Sequence, residues 1–313
     1  MEIGLYNPPY FLFNNHLETI YPALFMKVNI NGFRRERIST PDNDFLDLDW
    51  LDSLASNELV IISHGLEGNS QRPYMRGMAK AFFDAGYSVI AWNYRGCGDE
   101  MNRRLRFYHS GATDDLEVVV KHAAPKYKSV FLVGFSLGGN ITLKYLGEKG
   151  KDAGKVKGAA VFSVPINLQM SCEKISMPGN RIYANRFLKS LKKKVIAKAR
   201  LMSGIDITDI DSIKSLKVFD DRYTAPLHGF KDAVQYYQSC SSLYFLKDIR
   251  VPALVMNAKN DPFLSPDCYP THINNTFIQF DFPEHGGHVG FSVLNNKLYW
   301  SELRALQFIQ DIK

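Results

Sequence analysis

Gly134-Phe135-Ser136-Leu137-Gly138 sets a serine between two glycines, after a strand-like apolar run at residues 130–133 and ahead of a segment with helical spacing. A bare G-x-S-x-G match arises by accident in roughly one chain in ten of this length, so its surroundings decide its meaning. A strand that turns sharply into a helix pushes an apical serine hydroxyl out over the sheet edge, and only small flanking residues leave room for that turn. Gly134 and Gly138 meet this requirement, and Gly139 lets the entering helix approach the strand. The helix N-terminus adds positive potential where an oxyanion would develop. Ser136 therefore reads as a nucleophile at the apex of an elbow.

A serine hydroxyl attacks poorly at neutral pH unless a base takes its proton and a third group fixes that base. An apolar run at residues 253–256 leads into Asn257-Ala258-Lys259-Asn260-Asp261-Pro262, which offers the Asp261 carboxylate. A later run at residues 276–282 leads into Glu284-His285-Gly286-Gly287-His288. His288 is favoured as the base because the Gly-Gly pair lets its loop fold back over the sheet edge, while His285 lies closer to the strand and competes with it. Asp261 before a proline also suits a plain turn. Asp220 and Asp221 are the alternative acids. Upstream, the run at residues 59–63 enters His64-Gly65-Leu66-Glu67-Gly68. Gly65 permits a turn that aims the Leu66 backbone N–H at the site, where it would pair with the Leu137 N–H as an oxyanion hole. His64 reads as a support of that loop rather than a base, and His16, His109, His122, His228 and His272 read as structural or surface residues.

These groups need strands to hold them. The runs at residues 59–63, 88–92, 130–133, 159–162 and 253–256 are continuous and apolar, as buried parallel strands require. Segments 76–85, 112–124, 139–148 and 298–312 carry apolar residues at helical spacing. This alternation predicts an α/β architecture, a mostly parallel central sheet flanked by helices, with ligands bound at the strands' carboxyl ends. Over residues 165–238 the strands stop and helical periodicity takes over. Ala184, Phe187, Leu188, Leu191, Val195, Ala199 and Met202 form one stripe, with the lysines expected opposite. The chain thus divides into a first core part with an N-terminal extension (1–164), a helical cap insertion (165–238) and a second core part (239–313).

At 313 residues, 45% hydrophobic and 22% charged, the composition is that of an ordinary globular protein. The net charge of +6 is a local property: residues 174–205 hold nine basic side chains and no acid, which leaves the remainder near −3. The basic balance therefore gives no case for nucleic acid. The four cysteines are widely spaced without a C-x-x-C pair, so neither a zinc site nor a disulfide framework is suggested. No run approaches the length needed to span a bilayer and residues 1–10 lack a basic leader, so a cytoplasmic protein is expected. It would be a monomer or homodimer.

Several segments resemble the α/β-hydrolase superfamily and, within it, the YheT-like branch, across nearly the whole chain. They are Asn15-His16-Leu17-Glu18-Thr19-Ile20-Tyr21-Pro22, His64-Gly65-Leu66-Glu67-Gly68, Asn93-Tyr94-Arg95-Gly96-Cys97-Gly98, residues 134–140, Pro178-Gly179-Asn180-Arg181, Phe219-Asp220-Asp221, Thr224-Ala225-Pro226-Leu227-His228-Gly229-Phe230 and residues 286–291. The resemblance implies an α/β-hydrolase fold and a triad on Ser136, Asp261 and His288. Members of the branch act as carboxylesterases, as phospholipases on medium-chain lipids, or as acyltransferases forming short esters.

The expected chemistry is acyl transfer through a covalent ester on Ser136, with His288 as general base and then acid and Asp261 holding its tautomer. It needs no metal and no organic cofactor. Water would be the acceptor for a short- to medium-chain acyl or lipid ester; transfer to an alcohol uses the same triad, and a non-catalytic scaffold on this fold is the reading from another class. The basic cap helix is either a solvated lid or a face that rests on anionic membrane. Tyr6, Tyr10, Phe11 and Phe13 either pack over the sheet or line the acyl pocket.

Overall fold

The apolar runs become β3 (Glu58–Ser63), β4 (Ser88–Asn93), β5 (Ser129–Phe135), β6 (Val156–Phe162), β7 (Ala253–Met256) and β8 (Ile278–Asp281), in a computed structural model that describes residues 4–30, 32–294 and 298–313. These strands lie parallel in the order β4-β3-β5-β6-β7-β8. Two further strands extend the sheet to eight. β1 (Arg34–Ser39) and β2 (Phe45–Leu51) join antiparallel beside β4, an edge that lacks the continuous apolar runs of the parallel strands and is not among the expected ones. Alternation governs β2 instead: Leu46, Leu48 and Trp50 enter the core, while Asp47 and Asp49 accept from Arg37 and Arg35 directly across on β1.

Consecutive strand residues serve opposite faces. Leu59 and Ile61 pack under α3 (Thr113–Ala123) and α4 (Leu137–Lys149), which follow α1 (Asn15–Phe25) and α2 (Pro73–Asp84) in the chain. Val60 and Ile62 pack under α2 and the final helix, which spans Trp300–Asp311. Each such fully buried aliphatic side chain contributes roughly 1.5–3 kcal/mol. The helices therefore clamp both sheet faces and leave the carboxyl edge for loops.

Between β6 and β7 the chain forms α5 (Leu168–Ile175), α6 (Arg181–Leu201), α7 (Leu216–Phe219), α8 (Ala225–Leu227) and α9 (Ala233–Cys240), with a π turn over Asp220–Thr224 and α10 then closing the chain at Trp300–Asp311. Leu188 and Val195 of α6 join Phe107, Phe219 and Phe263 in an apolar cluster separate from the sheet core. The lysines of α6 do not all oppose this stripe. Lys194 and Lys198 share the inward face with Leu191, and Lys198 is fully buried, donating to the Arg104 and Arg106 carbonyls at 2.6 and 3.0 Å. Their long stems run along apolar surface while the ammonium groups reach polar loops, which a stripe drawn from apolar residues alone overlooks.

At the start of α10, Glu302 is 2% exposed, accepts from the Tyr299 backbone N–H at 3.0 Å and packs against Gly77 of α2. Burial pushes its pKa up to about 8 from 4.5. The folded carboxyl holds its proton more tightly than the unfolded one, so this group stabilises the fold at low pH. That contribution is lost as pH rises from the unfolded value through the folded one. Glu302→Gln keeps the cap acceptor without the charge. It is expected to melt close to the parent at about pH 5 and clearly above it at about pH 8; thermal melts in which that gap does not widen would refute the assignment.

Candidate active site

β5 ends at Phe135 and α4 begins at Leu137, which leaves Ser136 alone at φ 53° and ψ −119°. A non-glycine residue held there is strained by roughly 1–3 kcal/mol. Close approach maintains it: a Cβ at Gly138 would lie 2.4 Å from the Ser63 carbonyl oxygen, and one at Gly134 2.6 Å from the Gly138 carbonyl oxygen. Strand, helix and β3 thus meet without room for side chains. The Ser136 N–H is taken up by the Phe162 carbonyl at 2.9 Å, and the hydroxyl faces outward.

The loops after β7 and β8 converge on that hydroxyl. His288 Nε2 lies 3.0 Å from Ser136 Oγ, and His288 Nδ1 lies 2.9 Å from Asp261 Oδ2. The second Asp261 oxygen accepts the Phe263 N–H at 2.8 Å, and the carboxylate is buried. Phe263 also packs against the His288 ring, tilted by 40° with centroids 4.2 Å apart. His285 stands apart, more than half exposed, with Nδ1 3.4 Å from Glu18 and from Asn260. Neither alternative acid reaches His288. Asp220 accepts from the Tyr237 hydroxyl at 2.6 Å, and Asp221 accepts from the Ala233 N–H at 2.8 Å.

The loop after β3 passes directly against the elbow, since a Cβ at Gly65 would lie 3.3 Å from Ser136 Cβ. His64 is buried behind it. The Tyr94 N–H donates to His64 Nε2 at 3.3 Å, which leaves the ring proton on Nδ1 to donate to the Gly65 carbonyl at 2.8 Å. Burial pushes the His64 pKa down to about 3, so the ring stays neutral. Among the described residues no acceptor engages the Leu66 or Leu137 backbone N–H.

Sequence reasoning missed how α1 holds the His288 loop. Glu18 is 1% exposed and accepts from the Gly286 N–H and from Asn260 Nδ2, while Thr19 Oγ1 accepts the His288 N–H at 2.9 Å. Asn260 in turn accepts the Gly287 N–H at 3.0 Å. A carboxylate in a short helix reads as solvated, and nothing local announces partners more than two hundred residues away. The nearby aromatics pack rather than line the site. Tyr6 rests on Phe291 and Trp300 at 5.4 Å each, Phe11 rests on Tyr21 at 5.1 Å, and Tyr10 and Phe13 are exposed.

Two cavities meet at Ser136 and His288. One, of about 140 Å³, runs inward past Leu137, Leu168, Ile175, Leu216 and Tyr237 and is mostly apolar. The other, of about 230 Å³, lies between α1 and α6, bounded by Ile20, Leu24, Tyr74 and Arg186. Phe187 of α6 and Phe263 wall both. Among the described residues no group of three or more His, Cys, Asp or Glu side chains is placed to hold a metal ion, and no helix is long and apolar enough to cross a membrane.

Comparison with known proteins matches this architecture. The protein of Escherichia coli (strain K12) named "Putative esterase YheT" is 32% identical over 93% of this chain and 88% of its own length. Phospholipase ABHD3 of Bos taurus is 29% identical over 91% of this chain and 73% of its own. The esterase Pf2001 of Pyrococcus furiosus shares the fold at a TM-score of 0.58 and 17% identity, over 91% of this chain and 97% of that one. The family described as "Serine aminopeptidase, S33" (Hydrolase_4) matches residues 55–269, a span that includes Ser136 and Asp261 and stops before His288. The chain belongs to that family, in the YheT-like branch of the α/β hydrolases.

Proposed function

We propose that the protein is a serine hydrolase that cleaves carboxylic esters through an acyl-enzyme on Ser136. The observation that carries this reading is the chain of contacts from Ser136 Oγ to His288 Nε2 at 3.0 Å and from His288 Nδ1 to Asp261 at 2.9 Å, set where two cavities meet. The esterase and phospholipase names of its relatives support it. As Ser136 Oγ attacks the acyl carbon, its proton passes to His288 Nε2, and Asp261 stabilises the resulting imidazolium and keeps the other proton on Nδ1. The carbonyl oxygen becomes an oxyanion that accepts from the Leu66 and Leu137 N–H groups, each such donor lowering the barrier by roughly 3 kcal/mol. His288 returns its proton to the departing alkoxide. Water then enters, gives a proton to His288 and releases the acid, with the proton going back to Ser136.

Residues 165–238 act as a cap in this reading, because α5, α6 and α7 wall the inner cavity while the sheet supplies the reacting groups. The apolar inner cavity suits a short- to medium-chain acyl group of a small ester or lipid. At the mouth of the second cavity Ile20 and Leu24 of α1 are exposed beside Arg186, a combination suited to peripheral contact with anionic lipid. All four cysteines are free thiols, in keeping with a cytoplasmic setting.

A fluorophosphonate probe is expected to label the parent protein at Ser136 and to leave Ser136→Ala unlabelled; a folded parent that resists labelling overturns the proposal. Asp261→Asn should fold normally and lose about 10⁴-fold in kcat on a p-nitrophenyl ester, because the wrong tautomer of His288 is then favoured. Product analysis with an acyl thioester and an alcohol separates hydrolysis from transfer: free acid alone excludes transfer, whereas new ester formed in place of free acid would assign the alcohol O-acyltransferase reaction instead. Binding to anionic vesicles should weaken as salt is added, and binding indifferent to salt and to lipid charge would remove the membrane contact.

A further inference from the structure

Glu67 is the one charged residue of the His64-Gly65-Leu66-Glu67-Gly68 loop that is not part of the proposed reaction, and all of its polar atoms are engaged. Its N–H donates to the Tyr108 hydroxyl at 2.9 Å, and that hydroxyl donates to Glu67 Oε1 at 2.8 Å. Its carbonyl accepts from Arg72 at 2.8 Å. The remaining bonds cross to α6: Lys194 Nζ donates to Oε1 and Ser190 Oγ to Oε2, both at 2.6 Å. The pair is nearly sealed, with Lys194 13% and Glu67 8% exposed at the side chain. Burial alone would raise the Glu67 pKa, yet Lys194, Ser190 and Tyr108 hold it below the usual carboxylate range, so the ion pair persists at neutral pH.

The backbone explains why such a clamp matters. Glu67 sits at φ 53°, in the left-handed region, immediately after Leu66. A non-glycine residue relaxes from that conformation unless its surroundings forbid it, and relaxation at Glu67 would swing the peptide plane beside the Leu66 N–H. α6 meanwhile presents Phe187 and Leu191 to the inner cavity, one turn or less from Ser190 and Lys194. One helix thus touches both the cavity in which an acyl chain would lie and the residue that fixes the loop.

We propose that Glu67 is a positioning residue that couples the seating of α6, through Ser190 and Lys194, to the aim of the Leu66 N–H at the oxyanion. The proposal rests on the acyl-transfer reading given above. Lys194 lines neither cavity that meets Ser136, while Glu67 and Ser190 also wall the second one; all three act on the rate through the loop, because a donor displaced by about 1 Å forfeits on the order of 10²-fold in rate.

The test uses p-nitrophenyl acetate, too short to extend along α6, and p-nitrophenyl octanoate. Glu67→Gln and Lys194→Met are each expected to lower kcat on both esters by roughly 10- to 100-fold, with KM for the octanoate within about 3-fold of the parent. The double variant should lose no more than the worse single variant, because both break one link. Thermal melts establish that the variants are folded, and Ser190→Ala, which removes one hydrogen bond and no charge, should show a smaller fall in kcat in the same direction should either of the others fail to fold. A folded variant with parental kcat, a rise in KM alone, or additive losses in the double variant would each overturn the coupling. Fluorophosphonate labelling of the parent keeps the two readings separate: an unlabelled parent removes the acyl-transfer mechanism itself, whereas a labelled, active parent with indifferent variants removes only the role of Glu67.

Discussion

The left-handed turn at Ser136 persists because β5 and α4 are pressed against β3 at distances only glycine allows. With Gly138 set against the Ser63 and His64 carbonyls, and Gly139 against Val164, a relaxed serine conformation would drive the helix into its neighbouring strands. The strain of roughly 1–3 kcal/mol is small beside the burial of β3, β5 and β6, whose side chains are almost wholly enclosed. The sheet core therefore fixes Ser136 to within the tolerance of its own packing. Every other group at the site must be brought to that fixed point by loops, which have no core of their own.

Those loops are held by buried polar side chains that each satisfy several backbone groups. Asn257 accepts the Val164 N–H at 2.6 Å and donates to the Val164 and Cys268 carbonyls, tying the end of β6 to the loop that carries Asp261. Arg95 is enclosed by Asp42, Asp44 and Asp115, and although burial opposes it, the guanidinium and the Thr40 hydroxyl hold the Asp42 carboxyl down at about 2. The anchored segment presents Tyr94, whose hydroxyl donates to the His64 carbonyl at 2.6 Å. Leaving one such group unpaired costs about 1–3 kcal/mol, and more for a charge, so these loops have few alternative arrangements. Glu18 and Thr19 serve the His288 loop in the same way.

What was legible in the sequence follows from how local its cause is. The parallel strands and the elbow could be read because apolar runs and paired glycines carry their reason within a few residues. Ser136, Asp261 and His288 could be named because each stands just after a readable strand, and the structure brings those three side chains into hydrogen-bond distance. β1 was not legible as an apolar run, for Arg34-Arg35-Glu36-Arg37 resembles a solvated segment until Asp47 and Asp49 stand opposite it. β2 carried a usable signal in the alternation of Leu46, Leu48 and Trp50 with two aspartates. Glu18 stands in a segment that carries the family resemblance, yet its role was not legible there, because that role lies in Gly286 and Asn260, which only the fold brings near. The boundary of the helical segment is similarly blurred: α9 runs on to Cys240 because Tyr236, Tyr237 and Cys240 share one buried face.

The inward lysines of α6 show why a helix rich in basic residues can still be placed with accuracy. Fully apolar packing between α6 and the loops would tolerate small slides at little energetic consequence, since dispersion and burial are non-directional. Lys198, with two carbonyls and the Asn102 side chain as acceptors, and Lys194, with Glu67, admit one register only. Burying such groups adds little net stability, because desolvation offsets much of the attraction and pushes the Lys198 pKa down to about 7. Their physical effect is directional: α6 can dock in a single place, and that place presents Phe187 and Leu191 to the inner cavity and Ser190 to Glu67. The excess of positive charge that marks this segment in the sequence is thus divided by the fold, part of it facing water and part of it specifying where the helix must lie.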